Sequence, residues 1–483
     1  MFSRTEEERL TYLQRGRHHQ ASTMDEAPNP LVPDLFENKI PASFMGSLAW
    51  ASDQVADSLA LARYLEKPSI WLTMTTNPNW PEICSQLQPG QQACDIPTVV
   101  CRAFRGRLKK LKQFLRSHFG GLVYEICVVE FQKRGLPHAH IVVKFRQEPP
   151  LSVMDNIISA ELPDQFTQPE LYDKVKRFHI HSAEHLSRPG SRCNQEGQCI
   201  YGYPQQITMN TYLDSLGRVH YRRRKQEDCW VTPYIPSLLN LLDCHIYVDV
   251  CSTALIFLYL FKYLFKGPDH AKFNISTGEE DTIDEFKDYL NGRYLSASEA
   301  VYRILGFDTV YKSPSVRCLP IHLPGKNLSR MRHPDAVGYS EMSDLLWYLK
   351  RPSIDPFQQL TYQDFFRQYY LETVSLSDPL THGQTPIQLV ETERGTRLKV
   401  IRKRVRGQLI TRLQTVPLRL KEQFYLRALL QVRATSSFED LRTIDGHCYD
   451  TYHEAAMAQG LFQNTNKVEY AIIEAITVYS YLS

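Results

Sequence analysis

Glu130, His138 and His140 are the residues of this sequence best suited to chemistry, because their types and spacing fit a small divalent-metal centre. Side chains two apart on a strand leave from one face. The imidazoles of His138-Ala-His140 would therefore stand together while Ala139 and Ile141 turn the other way. The turn-like Lys133-Arg-Gly-Leu-Pro137 would fold the preceding apolar run back as a hairpin and bring the Glu130 carboxylate to the pair. Two nitrogens and an oxygen with open positions suit Mg²⁺ or Mn²⁺ polarising a phosphate better than structural zinc. A bare His-x-His is equally the pattern of two strand histidines that only pack or hydrogen-bond. A second group lies far downstream. If Cys251 to Lys266 is a helix closed by Gly267, Tyr259 and Tyr263 share a face one turn apart, and Lys262 and Lys266 repeat with the same period. A phenol is only about one part in a thousand ionised at neutral pH, so a nucleophilic tyrosine needs cations or an activated phosphate nearby. The two lysines would supply the cations. The competing reading is a core helix whose aromatics pack.

A third group could bind tetrahedral zinc: His181 or His179, with His185, Cys193 and Cys199, in a turn-rich segment. The alternative is free cysteines in a loop.

The elements that must position these groups are legible in the apolar spacing. A helix is expected from Ser47 to Glu66, stopped by Lys67-Pro68, then a strand Ser69 to Thr75 that ends in Asn77-Pro-Asn-Trp-Pro81. Its threonines and Asn77 would line one end of a sheet, within reach of the metal site or of DNA. A basic amphipathic helix follows from Ile96 to His118, with Arg102, Arg105, Arg107, Lys109, Lys110, Lys112 and Arg116 on its outer face; of these Arg102, Arg105 and Lys109 are candidate DNA contacts. Gly120-Gly121 ends it, and the strand Leu122 to Glu130 leads into the hairpin. Strand, helix, strand, strand predicts an α+β fold, an antiparallel sheet with flanking helices. Tyr221-Arg-Arg-Arg-Lys225, beside Tyr201 and Tyr203, offers Arg222, Arg223 and Arg224 among stacking rings, a combination suited to single-stranded DNA.

The composition excludes several classes. With 483 residues, 43% hydrophobic and 23% charged, the chain can form two or three cored domains. A net charge of +3 is too mild to mark a nucleic-acid binder globally, so that reading rests on local clusters. Eleven scattered cysteines with no secretory signal point to a reducing compartment. The longest apolar run, Val250 to Phe261, is too short to span a membrane, and no membrane partner is expected. Between Arg394 and Lys421 there are ten Lys or Arg and no Asp or Glu. That segment, with Arg402, Lys403 and Arg404, reads as a DNA-backbone contact, with a nuclear-import signal as the alternative. The expected organisation is a polar leader over residues 1–40, the site domain over 41–324 with a Cys/His insert near 178–204, and a basic, mainly helical region over 325–483.

Glu-x7-His-x-His followed by Tyr-x3-Tyr resembles the Helitron-like replication initiator, the two-tyrosine HUH endonuclease (His, hydrophobic, His) of rolling-circle transposons. Trp71-Leu-Thr-Met-Thr-Thr-Asn-Pro-Asn-Trp-Pro-Glu-Ile83 looks like that family's first motif and Glu130 to His140 like its metal motif. Cys244 to Asp249, Tyr259-Leu-Phe-Lys-Tyr263 and Tyr294 to Phe307 are similar as well. The resemblance implies an HUH-type sheet, His138 and His140 as metal ligands, Glu130 as the third, and Tyr259 and Tyr263 as nucleophiles. It implies a nuclear, metal-dependent enzyme that nicks and joins single-stranded DNA at transposon ends and targets through a 5′-phosphotyrosine. His181-Ser-Ala-Glu184 stands where the family usually has His-Gly-Pro-Cys. Family members also carry a helicase, yet no G-x-x-x-x-G-K-[ST] occurs here, so the expectation is either the nuclease part of a longer, helicase-bearing protein or an element that has lost its motor. The rival expectations are a non-cleaving DNA-binding derivative and a histidine-triad hydrolase, which would need a third alternating histidine where Val142 stands.

Overall fold

The computed structural model describes residues 48–462 apart from 132–134, 183, 185–190, 192, 253–295, 327–341, 378–382, 393–394 and 406–408. The chain divides into two compact units, one of Met1–Val55 with Leu65–Ser313, the other of Ala56–Tyr64 with Pro314–Ser483.

The first unit is built on a five-stranded sheet. In chain order the main elements up to Ser313 are α1 (Leu48–Leu65, of which Ala56–Tyr64 belongs to the second unit), β1 (Ile70–Thr75), α2 (Pro97–His118), β2 (Leu122–Phe131), β3 (Pro137–Phe145), α3 (Pro169–Phe178), α4 (Pro236–Leu242), β4 (Ile246–Val250), α5 (Ala297–Ile304) and β5 (Val310–Ser313). The strands lie in the order β4-β1-β3-β2-β5, and every pairing is antiparallel. The fold is α+β, as the order of elements predicts.

Strand alternation sorts the sheet's two faces. Ile70, Leu72, Met74, Val129, Ala139, Ile141, Val143, Ile246 and Val248 form one face and are buried against Val100, Phe104, Leu108, Leu111 and Leu115 of α2. Those helix positions recur at three- and four-residue spacing, which gives α2 one apolar stripe to bury. Removing one such leucine would cost about 2–5 kcal/mol. Pro97 opens the helix, and Gly120 (φ +64°) and Gly121 (φ +97°) follow it in the left-handed region where a side chain would be strained.

The charged side of α2 departs from a uniformly exposed basic face. Glu125 points toward the helix from β2, 1% exposed, and receives Lys112 Nζ at 2.8 Å and Arg116 Nη2 at 2.9 Å. Lys112 is itself buried, over the Tyr311 ring at 3.8 Å. Arg107 is held by Glu82 and the Leu242 carbonyl. A carboxylate on the helix-facing side of the sheet thus draws in cations one turn apart. Arg102, Lys109 and Lys110 are exposed, and Arg105 lies over the Phe307 ring at 5.6 Å.

The second unit contains β6 (Val316–Leu319), α6 (Asp344–Leu349), α7 (Tyr362–Gln368), β7 (Tyr369–Ser375), β8 (Gln384–Thr392), β9 (Gly395–Lys403), β10 (Ile410–Leu413), α8 (Lys421–Val432), α9 (Phe438–Arg442) and α10 (Tyr452–Ala458). Its core joins Leu345, Tyr348, Phe365, Phe366, Leu426 and Leu430. The helical run expected from Phe424 is α8; the one expected from Val468 lies outside the described residues. The described part of the basic segment is mostly extended. Its first part is β9, the middle strand of an antiparallel sheet β7-β9-β8.

Candidate metal centre

Register places the three expected ligands together. Glu130 of β2 sits directly opposite His138 of β3, and His140 is the next residue on the same face. Glu130 Oε1 lies 3.3 Å from His140 Nε2, and the ligand atoms of all three residues fall within 4.8 Å of one another. His138 is 8% exposed and His140 1%. Burying imidazoles is costly unless each is partnered, and here β1 supplies the partners. Thr75 is opposite His138 and Thr73 opposite His140. Thr75 Oγ1 is 3.0 Å from His138 Nδ1, and Thr73 Oγ1 is 3.5 Å from His140 Nδ1. Donor number and convergence make this a group that could hold a metal ion.

Further along the same face, Trp71 lies parallel to His140 with ring centroids 6.2 Å apart and meets Tyr247 edge-on at 5.5 Å. Asp249 accepts from Tyr221 Oη at 2.6 Å and Tyr247 Oη at 3.2 Å. Burial raises its carboxyl above the usual range and pushes both phenols well up, so Tyr221 and Tyr247 remain protonated donors. Asn77 is turned into the structure: its amide donates to the Asp243 carbonyl at 2.8 Å.

His245 was not foreseen as part of this site. It precedes β4, its carbonyl accepts from Thr75 N at 3.0 Å, and its Nδ1 is 3.5 Å from Thr75 Oγ1. Burial brings its pKa down to about 4. His179 stacks on it with centroids 5.2 Å apart and bonds Thr232 Oγ1 through Nδ1 at 3.0 Å. A lone histidine before an alternating strand gives no sequence signal of a partner on another strand.

A second cluster gathers His181, Cys193 and Cys199, again with ligand atoms within 4.8 Å. Cys199 Sγ is 3.3 Å from His181 Nε2. A tight hairpin, Asn194–Gln195 against Gln198–Cys199, folds the two cysteines together through Glu196 (φ +53°) and Gly197 (φ +82°), with Asn194 Oδ1 accepting from Gly197 N. His179, the alternative to His181, belongs instead to the His245 stack. His185 lies outside the described residues, as do Tyr259, Lys262, Tyr263 and Lys266.

The three arginines of the run differ in exposure: Arg223 is buried, Arg222 half-buried and Arg224 exposed. Arg223 is 3% exposed and its guanidinium donates to the Tyr221 and Val231 carbonyls, so it braces the main chain. Arg224 pairs with Glu161 at 2.8 Å, and Arg222 with Glu161 at 3.3 Å and Asp155 at 3.7 Å. The groove there, about 840 Å³, is also lined by Asp164 and Glu170, so its two guanidiniums face three carboxylates. In the second unit Arg402 pairs with Glu372 at 3.3 Å and Arg404 lies 5.4 Å from the Tyr370 ring, while Lys403 is exposed.

Part of the chain is similar to a known family. Residues 2–143 match the family model of the Helitron helicase-like domain at the N-terminus. The matched stretch runs into β3 and contains Glu130, His138 and His140; its similarity to that domain points to a transposase-related function. No curated protein matches the chain.

Proposed function

We propose that this protein is a metal-dependent single-stranded DNA endonuclease and strand transferase of the HUH type, acting in rolling-circle transposition. The observation that carries the reading is the convergence of Glu130, His138 and His140 on one sheet face, within the stretch similar to the Helitron domain. Glu130, His138 and His140 would hold Mg²⁺ or Mn²⁺, which when bound supplies Lewis-acid polarisation of the scissile phosphate. Thr73 and Thr75 keep the two imidazoles aimed, and α2 offers Arg102 and Lys109 to neighbouring phosphates. Tyr259 or Tyr263 attacks the phosphorus as its phenolic proton leaves; a 5′-phosphotyrosine forms and the 3′-oxygen departs as a hydroxyl. Lys262 and Lys266 favour the phenolate. The second tyrosine, or reversal by the 3′-hydroxyl, joins strands without ATP. Nuclear location, and a helicase in a longer protein, belong to the same proposal. His181, Cys193 and Cys199 would hold a structural Zn²⁺, with His185 as the fourth ligand.

The test is incubation of the full chain with labelled single-stranded DNA and Mn²⁺. A covalent protein–DNA adduct is expected, and His138→Ala or His140→Ala should abolish it with DNA affinity nearly unchanged. Normal nicking by the double variant would overturn the reading.

A further inference from the structure

Metal-binding histidines are commonly fixed by what their second ring nitrogen touches. At this site that group is the Thr75 hydroxyl, 3.0 Å from His138 Nδ1, and beyond it stands His245 Nδ1 at 3.5 Å from the same oxygen. We infer that Thr75 and His245 are positioning residues for the metal centre, forming an ordered hydrogen-bond chain that fixes His138 as an Nε2 ligand. The inference rests on the metal reading of Glu130, His138 and His140.

The direction of the chain follows from proton counting. A neutral imidazole carries one N–H and one lone pair. To offer its Nε2 lone pair to a cation, His138 must hold its proton on Nδ1 and donate it to Thr75 Oγ1. The Thr75 hydroxyl has a single proton, which then donates onward to the His245 Nδ1 lone pair, leaving His245 protonated at Nε2. Reversing the chain would place a proton on His138 Nε2 and block ligation. Main-chain pairing holds the spacing, since Thr75 N donates to the His245 carbonyl at 3.0 Å and Thr75 is in register with His138. The His245 ring is in turn braced by the stacked His179. Two neighbouring strands and the residue just before a third therefore meet at one hydroxyl.

Mn²⁺ binding to the full chain, followed by electron paramagnetic resonance of free Mn²⁺, tests this with a readout separate from activity. Thr75→Val keeps the β-branched shape but removes the hydroxyl, and should weaken Mn²⁺ binding by about 10- to 100-fold. Thr75→Ser restores the hydroxyl and should recover binding to within about threefold of wild type, which a packing role alone would not produce. His245→Leu should weaken binding less than Thr75→Val, because it removes only the distal acceptor. If Thr75→Val does not fold, as judged by its melting curve, Thr75→Ala repeats the measurement. Wild-type affinity in the folded valine or alanine variant would overturn the inference while leaving the metal centre intact. A wild-type chain that binds no Mn²⁺ would remove the centre, and this inference with it.

Discussion

Replacing Glu125 should destabilise the first unit far more than its single charge suggests. Glu125 is 1% exposed, and the 2.8 Å contact to Lys112 joins it to an ammonium that is also buried. Glu125→Leu leaves that ammonium without its carboxylate, and breaking a buried pair from one side costs about 3–5 kcal/mol. Arg116 adds little, since its side chain is 48% exposed and such pairs contribute at most about 1 kcal/mol. At about 2–4 °C per kcal/mol for a unit of this size, the melting transition should fall by roughly 6–20 °C. Pairing Glu125→Leu with Lys112→Met removes both charges and should recover most of the loss, because a buried pair and an apolar replacement are often close in stability. Urea unfolding of the wild type, both single variants and the double variant completes the cycle. A loss below about 1 kcal/mol for Glu125→Leu, or a double variant as unstable as the two singles summed, would refute the buried-pair account.

If His181, Cys193 and Cys199 bind zinc, elemental analysis should find about one zinc per chain, removed by Cys193→Ser with a drop in melting temperature; metal-free protein of unchanged stability would favour free thiols. Lys109→Ala should lower single-stranded DNA affinity and reduce the salt slope by about one, at unchanged melting temperature. Arg223→Ala should instead lower stability by about 1–3 kcal/mol, because it removes the guanidinium's bond to the Val231 carbonyl and one of two bonds to the Tyr221 carbonyl, which Thr208 also reaches; a pure affinity loss would reverse that assignment. Glu130→Ala should raise the Mn²⁺ concentration needed for cleavage, and an unchanged metal titration would remove Glu130 from the site.

The convergence of Glu130, His138 and His140 was legible because two-residue alternation and a turn-rich hairpin fix which side chains share a face before any partner strand is known. His138, His140 and Glu130 follow from that rule, as do the threonines of β1 across from them. Charges were harder to read than apolar spacing. Helical periodicity puts Lys112 near the edge of the α2 stripe, but only the packed sheet brings Glu125 to it. Arg223 carries the same signal in sequence as its neighbours, yet the main chain around it takes its guanidinium inward. His179 and His181 are both two-residue neighbours in one strand-like run; the hairpin that carries Cys193 and Cys199 selects His181, and His245 takes His179. In the second unit, the charges between Arg394 and Lys421 drew attention from the alternation Leu398, Val400 and Arg397, Lys399, which is the pattern of β9. The tyrosine pair lies outside the described residues and still rests on its one-turn spacing.

The central claim is that a tyrosine of this chain attacks DNA held at the Glu130, His138 and His140 centre. Mass spectrometry of the peptide cross-linked to single-stranded DNA after reaction with Mn²⁺ tests it most directly. The account predicts a 5′-phosphodiester adduct on Tyr259 or Tyr263, absent from the Tyr259→Phe/Tyr263→Phe double variant and from His138→Ala. An adduct that persists in the double phenylalanine variant, or maps to another residue, would contradict it.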